Sequence, residues 1–331
     1  MGIKNLLKFL NNYPDLIMDQ NIDELSGKKI AIDISILLYQ VVISVRNSGA
    51  DLTNKKGEIT SHLLGIFNKT CKLLSKKIIP VYVFDGKPPE IKRKVLNMRK
   101  NIRMKAYEKM LLATTLEEKI KYFKRSVTIT KKQLDDCRLL LTFMGVPFID
   151  APEEADSQCA WLAKNGLVDA VLTEDMDILT FGSPCIIRNL TSFKNSPLQI
   201  NLNMIKEKFD WSHENFVHFC ILLGCDYCDG LNDINYMTIF NTFQKTKDID
   251  KTLESFNRKV NYKSALSYFN KPLIDDSVKE LKLKKPNIDL LNNLLVNISG
   301  LIKYRIQKKL NYLLINYNNI NKLETFKYKV I

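Results

Sequence analysis

Three apolar runs rich in β-branched residues each end on aspartate. They cover residues 29–33, 80–85 and 170–177, and the last contains both Asp175 and Asp177. Such runs are typical of buried parallel strands, and open α/β sheets carry their chemistry at the carboxyl ends of those strands. Helical stretches lie between the runs, so the sequence predicts an α/β fold with a mainly parallel central sheet.

Seven carboxylates stand at expected ends of elements. They are Asp33, Asp85, Glu154, Asp156, Asp175, Asp177 and Asp226. Any single one is equally well explained as an ordinary strand-end or helix-cap residue. Gathered at one sheet edge, however, seven would repel one another strongly unless divalent cations lay between them. Oxygen ligands suit hard cations, so the set favours a Mg²⁺ site.

The positive charge is concentrated in one segment. The chain of 331 residues carries a net charge of +14, and residues 86–132 hold fifteen Lys and Arg against four Glu, a net +11. A basic segment beside an acidic metal site is the combination expected of an enzyme acting on phosphodiesters. Residues 34–45 form an apolar run too short to span a membrane, and no membrane association or signal peptide is predicted. Seven scattered cysteines suit reduced thiols in an intracellular protein.

The pattern along the chain predicts two regions. Residues 1–230 are expected to form a catalytic α/β domain, with a basic helical segment at about 87–132, and residues 203–331 a C-terminal helical region. Helices are predicted from about Lys131 to Met144 with Thr130 as N-cap, over 155–164, and over 213–223 with Ser212 as N-cap.

Several motifs, in the same order, resemble the flap endonucleases of the XPG-type structure-specific nuclease family. They are Met1-Gly2-Ile3, Ala31-Ile32-Asp33, Val81 to Pro89, Asp150-Ala151-Pro152, Thr173 to Asp177, Leu179 to Ser183, and Leu222-Leu223-Gly224 with Asp226-Tyr227-Cys228. The likeness is dense over residues 1–230. It implies a PIN-like 5′-nuclease fold in which the basic segment is a helical arch.

The resemblance divides the carboxylates between two Mg²⁺ ions, with Mn²⁺ as a substitute. It assigns Asp33, Asp85, Glu154 and Asp156 to one ion. It assigns Asp175, Asp177 and Asp226 to the other. The chain has Asp156 where the family usually has Glu, so a water or a small backbone shift is expected to close the gap.

The resemblance also implies roles in DNA binding and catalysis. Lys92 and Arg99 match cations that reach the scissile phosphate, although a solvated basic surface is the ordinary reading of such residues. The expected DNA-binding residues are Gly2, Tyr39, Arg46, Arg103, Lys124, Arg125 and Lys132. Tyr39 alone would be interpreted as a core aromatic.

The chain departs from the family at a hairpin. Both glycines of the duplex-binding hairpin are missing at residues 232–237, so the element at about 213–244 is expected to be degenerate. No sliding-clamp motif is found. The Cys225 and Cys228 pair, with His218 and Cys220 nearby, has no second ligand pair at zinc spacing, so zinc is not predicted.

The expected activity is structure-specific 5′ flap endonuclease activity with 5′→3′ exonuclease activity, in DNA replication and repair. The expected partner is DNA with a 5′ flap, nick or gap, bound by a monomer. The alternatives are a 5′→3′ exonuclease or gap or junction endonuclease of the same superfamily, a catalytically silent DNA-binding protein, and a phosphotransfer enzyme. A nuclear location is expected in a eukaryotic cell, or a cytoplasmic replication site if the protein is viral.

Overall fold

The chain folds into two compact units, each assembled from separate segments. The computed structural model describes residues 2–46, 51–190 and 196–327, with side chains described up to residue 322 except that of Arg46. The first unit comprises Met1–Ile22, Asp85–Val95 and Ala151–Val278. The second comprises Asp23–Phe84, Leu96–Asp150 and Lys279–Ile331.

The secondary structure alternates strands and helices up to β7 and is helical beyond it. The strands are β1 (Ile17–Asp19), β2 (Lys29–Asp33), β3 (Ile79–Phe84), β4 (Phe148–Asp150), β5 (Ala170–Leu172), β6 (Cys185–Arg188) and β7 (Leu198–Asn201). The first eight helices are α1 (Leu6–Leu10), α2 (Ile34–Arg46), α3 (Ser61–Ser75), α4 (Arg93–Leu112), α5 (Leu116–Arg125), α6 (Lys131–Met144), α7 (Ala155–Lys164) and α8 (Asp177–Thr180). The others are α9 (Leu202–Phe209), α10 (His213–Leu223), α11 (Tyr236–Thr246), α12 (Ile249–Ser255), α13 (Lys263–Asn270), α14 (Ile288–Asn292) and α15 (Lys303–Lys327).

In the first unit, parallel and antiparallel pairing occur together. β5 and β6 are parallel, with Val171 opposite Ile186, whereas β7 runs antiparallel to both β6 and β1. The predicted strand before Asp175 is therefore present. β1, β6 and β7 lie outside the sequence expectation because each has only three or four residues and none shows a clear alternating pattern.

An aromatic cluster holds the N-terminal helix of the first unit against its C-terminal helices. The ring of Phe9 on α1 lies 5.4, 4.9 and 4.8 Å from those of Phe209, Phe219 and Phe240, centroid to centroid. The amide of Lys4 donates a 2.8 Å hydrogen bond to the carbonyl of Gly224. Aromatic pairs at these spacings add about 0.5–1.5 kcal/mol each beyond the burial of their surface. The first ten residues are therefore fixed by residues more than 190 positions later.

In the second unit, β2, β3 and β4 form a fully parallel set. Asp33 is opposite Val83, and Phe84 is opposite Asp150. β3 is buried along its whole length, as its continuous apolar sequence predicts. α6 begins with a capping box between Thr130 and Gln133 and ends at Gly145 with φ +69°, so its predicted ends are confirmed.

The basic segment forms two exposed helices. Ala106 is the one buried residue in the 20 residues of α4, and no residue of α5 is buried. Helices with so little buried surface contribute little to a core, and this segment presents its charge to solvent. We use the name arch for residues 87–132. No helix in the described ranges is long and apolar enough to cross a membrane.

The buried histidine of α3 predicts a loss of stability in acid. His62 is 1% exposed; its Nε2 contacts Asp136 at 3.0 Å, and its Nδ1 is buried with no hydrogen-bond partner in the described structure. Burial lowers the pKa of His62, aided by Lys132 and opposed by Asp136. In the unfolded chain this imidazole takes up a proton near pH 6.5, whereas in the folded chain it does so only at lower pH. The folded state therefore loses stability as pH falls below about 6.5.

We expect His62→Gln to weaken this dependence. The thermal unfolding midpoint of the native chain should fall more steeply between pH 7 and pH 5 than that of the variant. Parallel curves for the two proteins would contradict the assignment, whatever their offset at pH 7.

Candidate active site

Two of the predicted carboxylates follow β5 and are buried. Asp175 is 8% exposed and Asp177, the first residue of α8, is 2% exposed. The amide of Asp175 donates to Thr173 Oγ1 at 2.9 Å, which fixes the turn after the strand. Within the described part of the chain, the Oδ1 atoms of both aspartates are buried without a hydrogen-bond partner.

The surroundings of these aspartates favour their neutral forms. Burial, the negative charges of Asp175 and Asp226, and that of Glu154 raise the pKa of Asp177 well above its usual value, with Lys92 acting in the opposite direction. Burial likewise raises the pKa of Asp175. Buried carboxylate oxygens without partners are costly, and a cation against them would restore the charged forms.

Gly2 lies directly against the same two side chains. A Cβ built on Gly2 would be 1.7 Å from Asp175 Oδ1 and 2.7 Å from Asp177 Oδ1, and its φ is +83°. Only glycine fits there. The predicted DNA-contacting glycine is therefore placed beside the carboxylates themselves.

Glu154 contacts one cation and two tyrosine hydroxyls. It is the N-cap residue of α7, and its Oε1 pairs with the ammonium of Lys92. Its Oε2 accepts hydrogen bonds from the hydroxyls of Tyr227 and, at 3.4 Å, Tyr268. The tyrosines act as donors because burial and then the charge of Glu154 raise the pKa of each hydroxyl above its usual value.

Lys92 joins two of the predicted metal ligands. Its Nζ also lies 3.3 Å from Asp226 Oδ2 and 5.7 Å from the centre of the Tyr227 ring. Burial alone would lower the pKa of Lys92, but the carboxylates of Glu154 and Asp226 outweigh it and hold the pKa above its usual value. A permanent positive charge therefore lies between these two acids.

A tight loop after α10 positions Asp226. The amide of Cys225 donates to the carbonyl of Cys228 at 2.7 Å, so the chain reverses across Asp226. A Cβ on Gly224, which has φ +96°, would be 2.4 Å from the carbonyl oxygen of Asp229. Burial raises the pKa of the Cys225 thiol to about 12, which disfavours the thiolate that zinc would need.

The remaining predicted ligands are placed differently. Asp85 is exposed, and its Oδ1 accepts a hydrogen bond from the amide of Ala155 at 2.9 Å, next to Glu154. Asp156 lies in the first turn of α7. Asp33 belongs to the second unit, where it is 6% exposed and accepts a 2.7 Å hydrogen bond from the amide of Ser35.

The donor set of the first unit fits a hard cation. In the described ranges no group of three or more His, Cys, Asp or Glu side chains is already arranged around one metal position. The unpartnered buried Oδ1 atoms of Asp175 and Asp177 are nevertheless oxygen donors of the kind that Mg²⁺ and Mn²⁺ accept.

The other predicted DNA-binding side chains lie in the second unit. Arg99 and Arg103 are half-buried on α4, and Tyr39 is half-buried on α2. The arch also carries Lys124 and Arg125 in the last turn of α5 and Lys132, whose Nζ pairs with Glu58 at 2.5 Å. The side chain of Arg46 lies outside the described residues.

Sequence reasoning missed the two tyrosines of the site. Tyr227 directly follows Asp226 in the motif Asp226-Tyr227-Cys228, so its position next to a predicted metal ligand could have identified it. Tyr268 is 114 residues from Glu154 and no local pattern marks it. Its ring lies 4.9 Å from that of Tyr227, so the two hydroxyls converge on one carboxylate.

The glycine-free hairpin has its own ion pair. Asp233 pairs with Arg258, and Asn235 caps α11 through a 2.8 Å hydrogen bond from the amide of Met237. An acidic side chain therefore lies within the hairpin that the sequence predicts to be degenerate. The degeneracy of this duplex-binding element stays a prediction.

Comparisons with known proteins identify the family of this chain. Residues 1–106 match the XPG N-terminal domain and residues 145–226 the XPG I-region. Flap endonuclease 1 of Glycine max is 39% identical over 98% of this chain and 90% of that protein, and flap endonuclease 1-A of Sorghum bicolor is 39% identical over 93% and 85%.

The solved structures that resemble this chain agree on the fold. Flap endonuclease-1 from Methanococcus jannaschii is 33% identical, with a TM-score of 0.74, over 92% of this chain and 96% of that one. The catalytic core of Rad2 in complex with a DNA substrate has a TM-score of 0.72 over 94% of this chain and 100% of that one. At 22% identity this second likeness concerns the fold alone. The expected 5′-nuclease fold and XPG-type resemblance are confirmed.

The contact of Gly2 with the aspartates predicts that a methyl group there would displace the N-terminus. We expect Gly2→Ala to speed hydrogen exchange at the amide of Lys4, because the hydrogen bond from that amide to the carbonyl of Gly224 would be broken. Gly166→Ala is the matched control, since Gly166 also has positive φ, +70°, but a Cβ there meets nothing within 4 Å. Equal exchange at Lys4 in both variants would contradict the contact.

Proposed function

Because the chain belongs to the flap endonuclease family of XPG-type nucleases, we propose that it is a structure-specific DNA endonuclease. It hydrolyses a phosphodiester at the junction of a 5′ single-stranded flap with duplex DNA, and has 5′→3′ exonuclease activity at nicks and gaps. Its role is in DNA replication and repair. It acts as a monomer, inside the cell, in the nucleus or at a cytoplasmic replication site.

The observation that carries this proposal is the meeting of one cation with several acids. Lys92 lies at the start of the arch and contacts Glu154 and Asp226, while Asp175 and Asp177 are held with unpartnered buried oxygens against Gly2. A DNA-binding protein without catalysis would have no need to maintain buried carboxylates with raised pKa values, because burying unpaired acids is costly.

The family depends on divalent metal, and two Mg²⁺ ions, replaceable by Mn²⁺, fit the donors of this chain. Asp33, Asp85, Glu154 and Asp156 would hold one ion, and Asp175, Asp177 and Asp226 the other. When bound, such ions supply Lewis-acid activation of water and of the phosphodiester oxygens. With those carboxylates bound to the ions, the ammonium of Lys92 would be released to contact the substrate phosphate.

The remaining residues bind and orient the DNA. Lys92 and Arg99 place positive charge where negative charge develops on the phosphate during hydrolysis. Arg103, Lys124, Arg125 and Lys132 of the arch attract the backbone of the single strand, while Gly2, Tyr39 and Arg46 serve the junction. Recognition of this kind depends on shape and phosphate rather than on base sequence.

The metal assignment is tested by Asp177→Asn. We expect cleavage of a 5′-flap duplex in Mg²⁺ to fall at least about 100-fold, because the variant removes a negatively charged oxygen ligand from the metal site. Binding of the same DNA in EDTA should change little. Asp169→Asn, at the opposite end of β5, is the matched control and should cut normally.

A panel of substrates tests the activity itself. Wild-type protein is given 5′-flap, nicked, gapped and single-stranded DNA in separate reactions, and the 5′-flap substrate should be cut fastest. Chelation of the divalent metal should stop cleavage of every substrate. Preference for gapped or nicked DNA would identify an exonuclease or gap endonuclease of the same superfamily. Full turnover by the Asp177 variant would refute the metal assignment.

The role of Arg99 predicts a separation between rate and affinity. Arg99→Ala should lower the single-turnover rate about 100-fold while the Kd for flap DNA changes much less, since the cation acts mainly in the transition state. Lys105→Ala, an exposed cation on the same helix, should change neither quantity markedly. A loss confined to Kd would place Arg99 among ordinary surface contacts.

A further inference from the structure

A cavity in the arch has no role in the site described above. It has a volume of about 460 Å³ and lies between α4 and the segment that follows α5. Its walls on α4 are Lys100, Arg103, Met104 and Tyr107, and on the opposite side Ser126 and Thr128. Small-molecule sites are typically about 300–1,000 Å³, so the cavity has room for a nucleotide-sized group.

The spacing of the α4 residues confirms that they share one helix face. Positions 100, 103, 104 and 107 follow the i, i+3, i+4, i+7 pattern of neighbours on a helix. Tyr107 is 53% exposed and Met104 is similarly exposed. An apolar and aromatic face this open is not serving as core, in contrast to Ala106 beside it, which is buried.

The cavity also carries uncompensated positive charge. Within the described ranges neither Lys100 nor Arg103 has an acidic side chain at ion-pair distance, and both line the cavity. Glu108 lines it too, leaving two cations against one acid. The combination of an aromatic face, a thioether and two cations matches the chemistry of single-stranded nucleic acid, which offers a flat base and a phosphate together.

We propose that this cavity is a nucleotide subsite for single-stranded DNA. One base stacks on the ring of Tyr107 and contacts Met104, and the adjoining phosphate lies against Lys100 and Arg103. The hydroxyl of Thr128 is placed to hydrogen-bond the base edge, and that of Ser126, which donates to the carbonyl of Phe123 at 3.0 Å, can accept a hydrogen bond from it. The subsite rests on the proposed function, because it deepens the single-strand contacts of the arch beyond the phosphate contact already assigned to Arg103.

The test separates base stacking from phosphate attraction. The full-length protein, in EDTA so that cleavage does not occur, is titrated with a single-stranded oligodeoxynucleotide and with an abasic oligonucleotide of the same length. Wild type should bind the strand with bases more tightly. A stacked base contributes about 1–3 kcal/mol, and tenfold in Kd corresponds to about 1.4 kcal/mol. Tyr107→Ala should therefore weaken binding of the base-bearing strand about fivefold or more and leave the abasic strand unchanged.

Two further variants complete the experiment. Tyr107→Phe keeps the ring and should bind like wild type. Tyr312→Ala removes a tyrosine of equal 53% exposure on α15, outside the cavity, and should leave both titrations unchanged. Thermal unfolding midpoints establish that each variant is folded. A 2-aminopurine in the strand should be quenched by wild type and by Tyr107→Phe but less by Tyr107→Ala.

The outcomes are distinct. Equal weakening of both strands by Tyr107→Ala would mean that the cavity takes phosphate only, and unchanged binding of both would mean that it takes no part; either result overturns the subsite. Both results are independent of cutting. A protein that binds as proposed but cuts no 5′ flap would instead overturn the proposed function and leave the subsite standing.

Discussion

Repulsion among buried carboxylates is the constraint on which the first unit depends. Burial raises the pKa of Asp177 and of Asp175; the charges of Asp175, Asp226 and Glu154 raise that of Asp177 further, and the charge of Asp226 raises that of Asp175. The ammonium of Lys92 and two tyrosine hydroxyls offset part of that cost at Glu154. This explains why the start of the arch, Asp85–Val95, packs with the segment that carries the acids and belongs to the same unit. A buried charge needs an opposite charge beside it, either its present partner or one that replaces that partner. The same residues therefore contribute to both stability and reactivity.

Much of the fold was predictable because its signals are local. The strands that end at Asp33 and before Asp85, and α6 and α10 with their Ser or Thr caps, follow from apolar runs and capping residues. The short strands β1, β6 and β7 were not predictable, since three or four residues give no period to count. Each compact unit is also assembled from three separate segments, so no single boundary in the sequence divides one unit from the other.

The site was predictable in its residue types but not in its contacts. Strand-end acids and the family motifs identified the carboxylates, whereas the contact of Gly2 with Asp175 and Asp177 was not predicted, since the resemblance implied only a role in DNA binding. The hydrogen bond from Tyr268 to Glu154 was not predicted either, because it joins residues far apart in sequence. The ion pair of Lys92 with two expected metal ligands likewise depends on tertiary packing. The arch cavity was not predictable from periodicity, because α4 has one buried residue and so gives no apolar pattern to detect. The cavity forms only where Ser126 and Thr128 lie opposite this helix in the folded chain.

The aromatic cluster around Phe9 has a consequence for how the protein is made. Phe9 meets rings at positions 209, 219 and 240, and Lys4 bonds to Gly224. During synthesis, which proceeds from the N-terminus, the opening helix must wait for more than 200 residues before it can dock. The nascent chain thus carries Asp175 and Asp177 without Asp226 until residue 226 has been synthesised. Assembly of these acids therefore follows the synthesis of α10.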